Sequence, residues 1–303
     1  MKEETRMIEI KNLVKNFDGF TALDDLSLTV PTGAVYGLVG PNGSGKSTLI
    51  RHIMGIYRQD SGEVLIDGRP VYENPALKSR IAYIPDDVFY FLQSSVRDMM
   101  RFYRGIYPNF DMERYEKLKE VFMMSETMPI RRMSKGMQKQ AAFWLALCTR
   151  PEIMVLDEPV DGLDPVMRRQ IWSLLMADAA ERGITVLVSS HNLRELEDVC
   201  DHVGILSHGH LLLERSLSEL QANITKIQLV LPDNGVLPEA LDIVHETVSG
   251  RLRTVIVRGA PEQVLAQLQE CQPLFIEAVP LNLEEIFIYE LGGADYAVKD
   301  ILL

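Results

Sequence analysis

The glycine-rich segment GPNGSGKS at residues 40–47 has the residue types and spacing of a loop that binds phosphate. Its glycines let the backbone wrap so that successive N–H groups point at one anion. The apolar run VYGLV at 35–39 predicts a buried strand before the loop, and a helix is predicted over about 46–56. The positive end of that helix dipole would face the same phosphate. The predicted phosphate-binding residues are Gly40, Pro41, Asn42, Gly43, Ser44, Gly45, Lys46, Ser47 and Thr48.

Lys46 and Ser47 carry the most specific chemistry of this loop. Lys46 is expected to reach the β- and γ-phosphates of a nucleotide, and the Ser47 hydroxyl is expected to bind Mg²⁺. The alternative is a glycine-rich turn without a ligand. The predicted order of strand, loop and helix favours the phosphate site.

Two adjacent acids, Asp157 and Glu158, follow a second apolar run at 153–156. In open α/β sheets, ligands bind at the carboxyl ends of the strands. Asp157 is therefore expected to hold Mg²⁺, directly or through water, and Glu158 to act as the general base for an attacking water. An acidic turn after a strand is the alternative when the pair is considered alone.

Two shorter signals complete the set. Ser134, Lys135 and Gly136 precede a predicted helix, and a lone His191 follows the apolar run 184–188. A hydroxyl and a glycine N–H at a helix start can form a second anion site, and histidine is a compact donor near neutral pH. Each alone is more typical of a helix turn or a helix cap. All four signals in this order favour one ATP-hydrolysing site.

These motifs together resemble the ATP-binding subunits of ABC transporters, over roughly residues 6–222. The resemblance implies that Ser134, Lys135 and Gly136 contact the ATP held by the opposite subunit. It implies that His191 contacts the γ-phosphate and that the loop 160–165 crosses the dimer interface. It also implies that Phe17 stacks on adenine, with the nearby Phe20 as the alternative.

Three residues depart from the family pattern. Asp86 stands where the family usually has a glutamine that reaches Mg²⁺ and the attacking water. Because a carboxylate is charged and shorter, Asp86 is predicted to bind Mg²⁺ more strongly or only through water. Lys135 replaces a signature glycine, and Met137 replaces a glutamine. These changes bear on rate and metal geometry and delete no catalytic group.

Charge and hydropathy exclude other classes of protein. The 303 residues carry a net charge of −12, which argues against nucleic acid as a partner. We find no apolar run near the ~18 residues that span a bilayer, and the first residues lack an apolar signal core. We therefore expect a cytoplasmic protein that is peripheral on the cytoplasmic face of the cell membrane.

The pattern of elements predicts an α/β fold: a P-loop NTPase core with a mixed, mainly parallel sheet and N-terminal antiparallel strands. A helical subdomain is predicted at about 89–150 within an ATP-binding domain at 1–222, and a helix is predicted at 192–200. Residues 225–303 are predicted to form a small α+β domain. Its closing segment 280–287 resembles the tail of subunits that serve type-2 ABC permeases, including antibiotic and multidrug exporters.

Methionine is concentrated in the predicted helical subdomain, where eight of the 14 lie between Met99 and Met137. They either fill its core or line a soft groove that grips a permease helix. Met99, Met100 and Met112 are the candidates for such a groove.

The sequence therefore predicts an ATPase motor subunit of an ABC transporter. Two subunits, identical or related, would sandwich two ATP molecules with Mg²⁺ and drive a separate polytopic membrane permease for export. The alternatives are a non-transport ABC ATPase of DNA repair or translation, or a regulatory subunit. The step of 48 positions from Asp86 to Ser134 leaves no room for the long coiled coil of repair members, and translation members carry two cassettes.

Overall fold

The structure, a computed structural model, describes residues 6–232, 235–238 and 240–290, and the chain divides into two units. The first unit contains the chain up to His191 together with His202–Glu214. The second contains Asn192–Asp201 and the chain from Arg215 onward. The segment 192–201, which the predicted boundary placed in the ATP-binding domain, thus groups with the second unit. The division at 222–225 itself stays a prediction.

An antiparallel sheet opens the first unit. The first strands of the chain are β1 (Arg6–Phe17), β2 (Phe20–Pro31), β3 (Val35–Val39), β4 (Ser61–Ile66) and β5 (Arg69–Pro70). All except β3 form one sheet in the order β2-β1-β4-β5. Ile8 and Ile10 alternate with more exposed residues and are buried, and Leu13 is buried after a register shift. Strands β1 and β2 extend beyond the alternating stretches because register shifts let their pairing continue.

A second sheet positions the predicted site residues. Its order is β10-β9-β3-β8-β7-β6, with the further strands β6 (Ile81–Ile84), β7 (Ile153–Asp157), β8 (Thr185–Ser190), β9 (His202–Ser207) and β10 (His210–Ser216). Strand β3 pairs in parallel with β8 and β9, and β7 pairs in parallel with β6 and β8. Strands β3, β7 and β8 are buried throughout, as expected for a parallel sheet covered on both faces. The predicted α/β P-loop fold is confirmed.

The helices of the first unit lie between these strands. They are α1 (Lys46–Ile53), α2 (Pro75–Lys78), α3 (Val96–Ile106), α4 (Met112–Phe122), α5 (Lys135–Cys148) and α6 (Pro165–Arg182). In the helical subdomain, the ring of Trp144 stacks on Tyr115 at 4.7 Å, and its indole N–H donates to the Tyr115 carbonyl. Such buried aromatic pairs anchor α5 against α4.

The second unit has its own antiparallel sheet in the order β12-β13-β11-β14. Its elements are α7 (Leu217–Asn223), β11 (Ile224–Val230), β12 (Ile243–Ser249), β13 (Leu252–Arg258), α8 (Pro261–Gln269), β14 (Phe275–Val279) and α9 (Leu283–Glu290). Ile227, Leu229 and Val255 from the sheet form a core with Val264 and Leu268 from α8. The α+β composition predicted for residues 225–303 is thus present within the described residues.

The helix predicted at 192–200 is wrong. Only the turn Leu193–Glu195 is helical there, as a 3₁₀ turn. Tertiary contacts explain the difference: Leu193 and Leu196 are buried, and the carboxylate of Glu197 accepts the Leu283 N–H at 3.1 Å. Glu197 thus caps α9 instead of continuing a helix of its own.

No helix among the residues that the structure describes is long and apolar enough to cross a bilayer.

Candidate active site

The phosphate-binding loop connects β3 to α1, as the sequence predicted. A Cβ on Gly40 would lie 2.2 Å from the Leu206 carbonyl oxygen, which no side chain tolerates. Gly45 has φ +110°, and a Cβ there would lie 2.9 Å from the Ala22 carbonyl oxygen. Both positions therefore require glycine for the loop to turn into α1.

An open cavity of about 290 Å³ lies at this loop. Its lining residues are Phe20, Ala22, Asn42, Gly43, Gly45, Lys46, Ser47, Thr48, Asp86 and Glu158. Nearby, the buried hydroxyl oxygen of Ser44 has no hydrogen-bond partner. Buried polar atoms are normally paired, so this hydroxyl is suited to a ligand. A helix N-terminus, an ammonium and hydroxyls together suit a polyanion.

The carboxylate of Glu158 contacts both Lys46 and His191. The Lys46 Nζ lies 3.5 Å from the Oε1 of Glu158 and also donates to the Gly40 carbonyl at 2.6 Å. The Oε2 of Glu158 lies 2.9 Å from His191 Nδ1 and accepts the His191 backbone N–H at 3.3 Å. The structure therefore brings together the predicted base, the predicted switch histidine and the lysine that is predicted to bind phosphate.

Ser189 at the end of β8 links the two acids, and the sequence did not point to it. Its hydroxyl donates to Asp157 Oδ1 at 2.7 Å and accepts the Glu158 N–H at 3.0 Å. Asp157 and Ser189 are partners in the parallel register of β7 and β8. Only this pairing of the strands indicates that Ser189 contacts the acids, and the sequence alone does not show the pairing.

The oxygen donors near the loop fit Mg²⁺. Magnesium prefers carboxylate and hydroxyl oxygens. Ser47 and Asp86 line the cavity, and Asp157 is almost fully buried at the end of β7. Each of these three predicted ligands supplies such an oxygen.

Asp86 also has a cationic neighbour that the sequence did not indicate. Its Oδ1 lies 3.3 Å from the Nζ of Lys139, a buried residue of α5. The same Nζ donates to the backbone carbonyl of Glu158 at 2.7 Å. Lys139 thus contacts two residues that line the cavity.

Of the two aromatic candidates, Phe20 lines the cavity and Phe17 is not among its lining residues. The Phe17 ring packs edge-on against Tyr57 at 5.4 Å, and the Lys15 ammonium lies over it at 5.3 Å. Phe20 is two-thirds exposed, so its ring is free to stack on a base. The adenine-stacking role of Phe17 stays a prediction, and the position of Phe20 favours the alternative.

The signature residues lie apart from this cavity. Ser134 caps α5 by accepting the Met137 N–H at 3.2 Å. Ser134 and Lys135 are exposed, and Gly136 is close enough to the Gly162 carbonyl that an added Cβ would lie 3.0 Å from it. None of the three is among the described residues that line the cavity.

Met99 is buried in the core, which favours the core-filling alternative for this methionine. Met100 and Met112 are partly buried. Aromatic and branched residues are exposed instead, and we call them the aromatic surface: Phe89, Phe91, Leu92, Phe102 and Ile106. Phe91 and Phe102 pack edge-to-face at 4.9 Å.

Known proteins resemble this chain in sequence and in fold. Residues 23–161, which include the loop and both acids, match the family model described as ABC transporter. The ABC transporter ATP-binding protein YtrB of Bacillus subtilis (strain 168) is 34% identical over 288 residues, 95% of this chain and 99% of YtrB. The Nod factor export ATP-binding protein I of Sinorhizobium fredii (strain NBRC 101917 / NGR234) is 30% identical, over 94% of this chain and 86% of its own.

A solved ATP-binding subunit of an ABC transporter superposes with a TM-score of 0.66 at 26% identity, over 71% of this chain and 92% of the other. The chain therefore belongs to the ABC transporter family. Within that family it is an ATP-binding subunit and an ATPase, as the sequence predicted. These matches do not favour the repair, translation or regulatory alternatives.

Proposed function

We propose that this chain drives a separate membrane permease by closing with a second ATP-binding subunit, identical or related, around two ATP molecules. One observation carries the proposal: Ser134, Lys135 and Gly136 do not line the cavity formed by the P-loop of their own chain. They are nevertheless suited to an anion, because they stand at the start of α5, where Ser134 and Lys135 are exposed. A second chain placed head to tail would bring each set to the other's cavity, in a C₂ arrangement.

The residues of the P-loop and those around Glu158 have separate roles in this proposal. Lys46 and the loop amides hold the β- and γ-phosphates, and Glu158 takes a proton from the attacking water. His191 orients the Glu158 carboxylate and contacts the γ-phosphate. Ser47 and Asp157 hold Mg²⁺, with Asp86 as a further ligand; the ion neutralises charge on the phosphates.

The proposed shared site is tested by replacing Ser134 with Asp or with Asn, two side chains of the same shape. Each change is made in a chain that also carries Glu158→Gln. Asp and Asn both keep the helix cap, so only the charge differs. We expect Ser134→Asp to prevent ATP-dependent dimers on size-exclusion chromatography, because its carboxylate opposes the partner's γ-phosphate. Ser134→Asn should retain them, and both should bind ATP equally. Equal dimer formation by the two variants would contradict the proposal.

The permease and the direction of transport are the second part of the proposal. One relative that covers most of this chain is named for Nod factor export, and this supports an exporter. Coupling to a permease would place the subunit on the cytoplasmic face of the membrane. The aromatic surface is the part of the helical subdomain suited to that contact, since contiguous exposed apolar residues mark interaction sites.

Replacing Phe89 and Leu92 of the aromatic surface with Glu is expected to abolish pull-down of the permease. The melting temperature and basal ATPase rate of the isolated subunit should stay unchanged, because both side chains are about four-fifths exposed. Val236→Glu, at an equally exposed residue of the second unit, is the control and should leave the pull-down intact. Permease capture by the double variant at the wild-type level would contradict this docking site.

A further inference from the structure

Lys139 is a charged residue that the proposed mechanism leaves unused, although it is buried on α5. Its side chain is only 8% exposed. A buried ammonium is unfavourable unless charged or hydrogen-bonding partners surround it. The groups that surround the Lys139 ammonium are therefore informative.

The partners of Lys139 are two residues of the nucleotide cavity. Its Nζ donates to the Glu158 carbonyl at 2.7 Å and to Asp86 Oδ1 at 3.3 Å. Both residues line the cavity, whereas Lys139 is not among the lining residues. Lys139 therefore acts on the cavity through these two residues and not by touching a nucleotide there.

The backbone of Glu158 needs such a contact. Glu158 has φ +46°, in the left-handed region that is unfavourable for a residue with a side chain. This conformation accompanies the carboxylate contacts with Lys46 and His191. The Lys139 ammonium binds the Glu158 carbonyl, and the Ser189 hydroxyl binds the Glu158 N–H. The backbone of Glu158 is thus held on both sides.

The charge of Lys139 has a second effect, on Asp86. An isolated carboxylate lining a cavity for a polyanion would repel the phosphates. With the ammonium 3.3 Å away, much of that repulsion is cancelled. Asp86 and Lys139 thus form an ion pair without net charge. The pair connects the cavity lining to α5, the helix that begins at the signature residues.

We propose that Lys139 is a positioning residue: it fixes the Glu158 backbone in its left-handed conformation and neutralises Asp86. The proposal rests on the proposed role of Glu158 as the base. Lys139 links α5 to the chain's own base, Glu158. The residues at the start of α5 are those proposed to contact the partner's ATP. A displacement of α5 would then displace Glu158 directly.

Lys139→Met removes the ammonium and keeps most of the volume, and it is compared with Lys139→Gln, which retains a donor. For Lys139→Met we expect ATP turnover to fall about 10–100-fold, as for a misplaced catalytic group. With Mg²⁺ present, the affinity for a fluorescent ATP analogue should change less than twofold. Without Mg²⁺ it should weaken severalfold, because Asp86 is then uncompensated. Lys139→Gln should lose less turnover.

Lys117→Met is the matched control, because this lysine of the same subdomain pairs with Glu113 in solvent. It should change none of these quantities. Adding Asp86→Asn to Lys139→Met should restore the metal-free affinity but not the turnover, since the Glu158 contact stays lost. A loss due only to folding would lower the melting temperature and would not be corrected selectively by the second change.

Three outcomes would overturn the proposal: turnover of Lys139→Met within twofold of wild type, additive effects of the two changes on metal-free affinity, or a turnover loss that follows the melting temperature. Failure of this proposal is distinguishable from failure of the proposed function. If Glu158→Gln is inactive while Lys139→Met is normal, only the role of Lys139 falls. If Glu158→Gln remains active, the assignment of the base falls first.

Discussion

Replacing Glu158 with glutamine is expected to lower ATP turnover by about 10²–10⁴-fold, the usual effect of losing a general base. Glutamine preserves the shape of the side chain and can still contact His191, which lies 2.9 Å from the carboxylate. It cannot take a proton from the attacking water. ATP binding should therefore persist while single-turnover hydrolysis is nearly abolished.

Glu152→Gln provides a control for the loss of one carboxylate, because Glu152 pairs with Arg80 at the surface, away from the cavity lining. Its turnover should match the wild type. Hydrolysis by Glu158→Gln within a few-fold of wild type would show that another group activates the water, and Asp86 and Asp161 would be the next candidates.

The second large effect is expected for Lys46→Ala, which should weaken the binding of ATP. Hydrogen bonds from charged groups contribute about 1.5–3 kcal/mol, which corresponds to a loss of about 10–150-fold in ATP affinity. Turnover at saturating ATP should also fall, because the Glu158 carboxylate loses the cation 3.5 Å from it. Isothermal titration with ATP measures the first effect directly.

Lys11→Ala is the appropriate control for this change, since Lys11 is a half-exposed lysine on β1 that lies outside the cavity lining. Its ATP affinity should be that of the wild type. An unchanged affinity in Lys46→Ala would mean that the loop 40–47 is not the phosphate site.

The P-loop and the acids could be predicted because their signal is local. A glycine loop between an apolar strand and a helix favours a phosphate site over a turn without a ligand, and Asp157 and Glu158 stand at the end of a strand whose apolar composition is visible in the sequence. The convergence of Lys46, Glu158 and His191 follows from these motifs once the strands are placed in one parallel sheet.

Ser189, Lys139 and the position of Phe20 could not be predicted in this way. Ser189 contacts Asp157 because β7 and β8 place the two residues opposite each other, and Lys139 on α5 contacts Glu158. Neither neighbour is close in sequence. The choice between core and groove for the methionines stayed open for a related reason. Composition shows which residues are adaptable but not which side of α3 faces the core, and Met99 is buried there.

The segment 192–201 shows that the ATP-binding region is not a detachable module. It begins one residue after His191, yet its ion pair is made by Arg194 with Glu284 at 2.8 Å, and Glu197 caps α9 through Leu283. A chain shortened at residue 222 would keep every catalytic motif and lose both of these partners. Truncation at residue 222 would therefore remove contacts of the segment that directly follows the histidine.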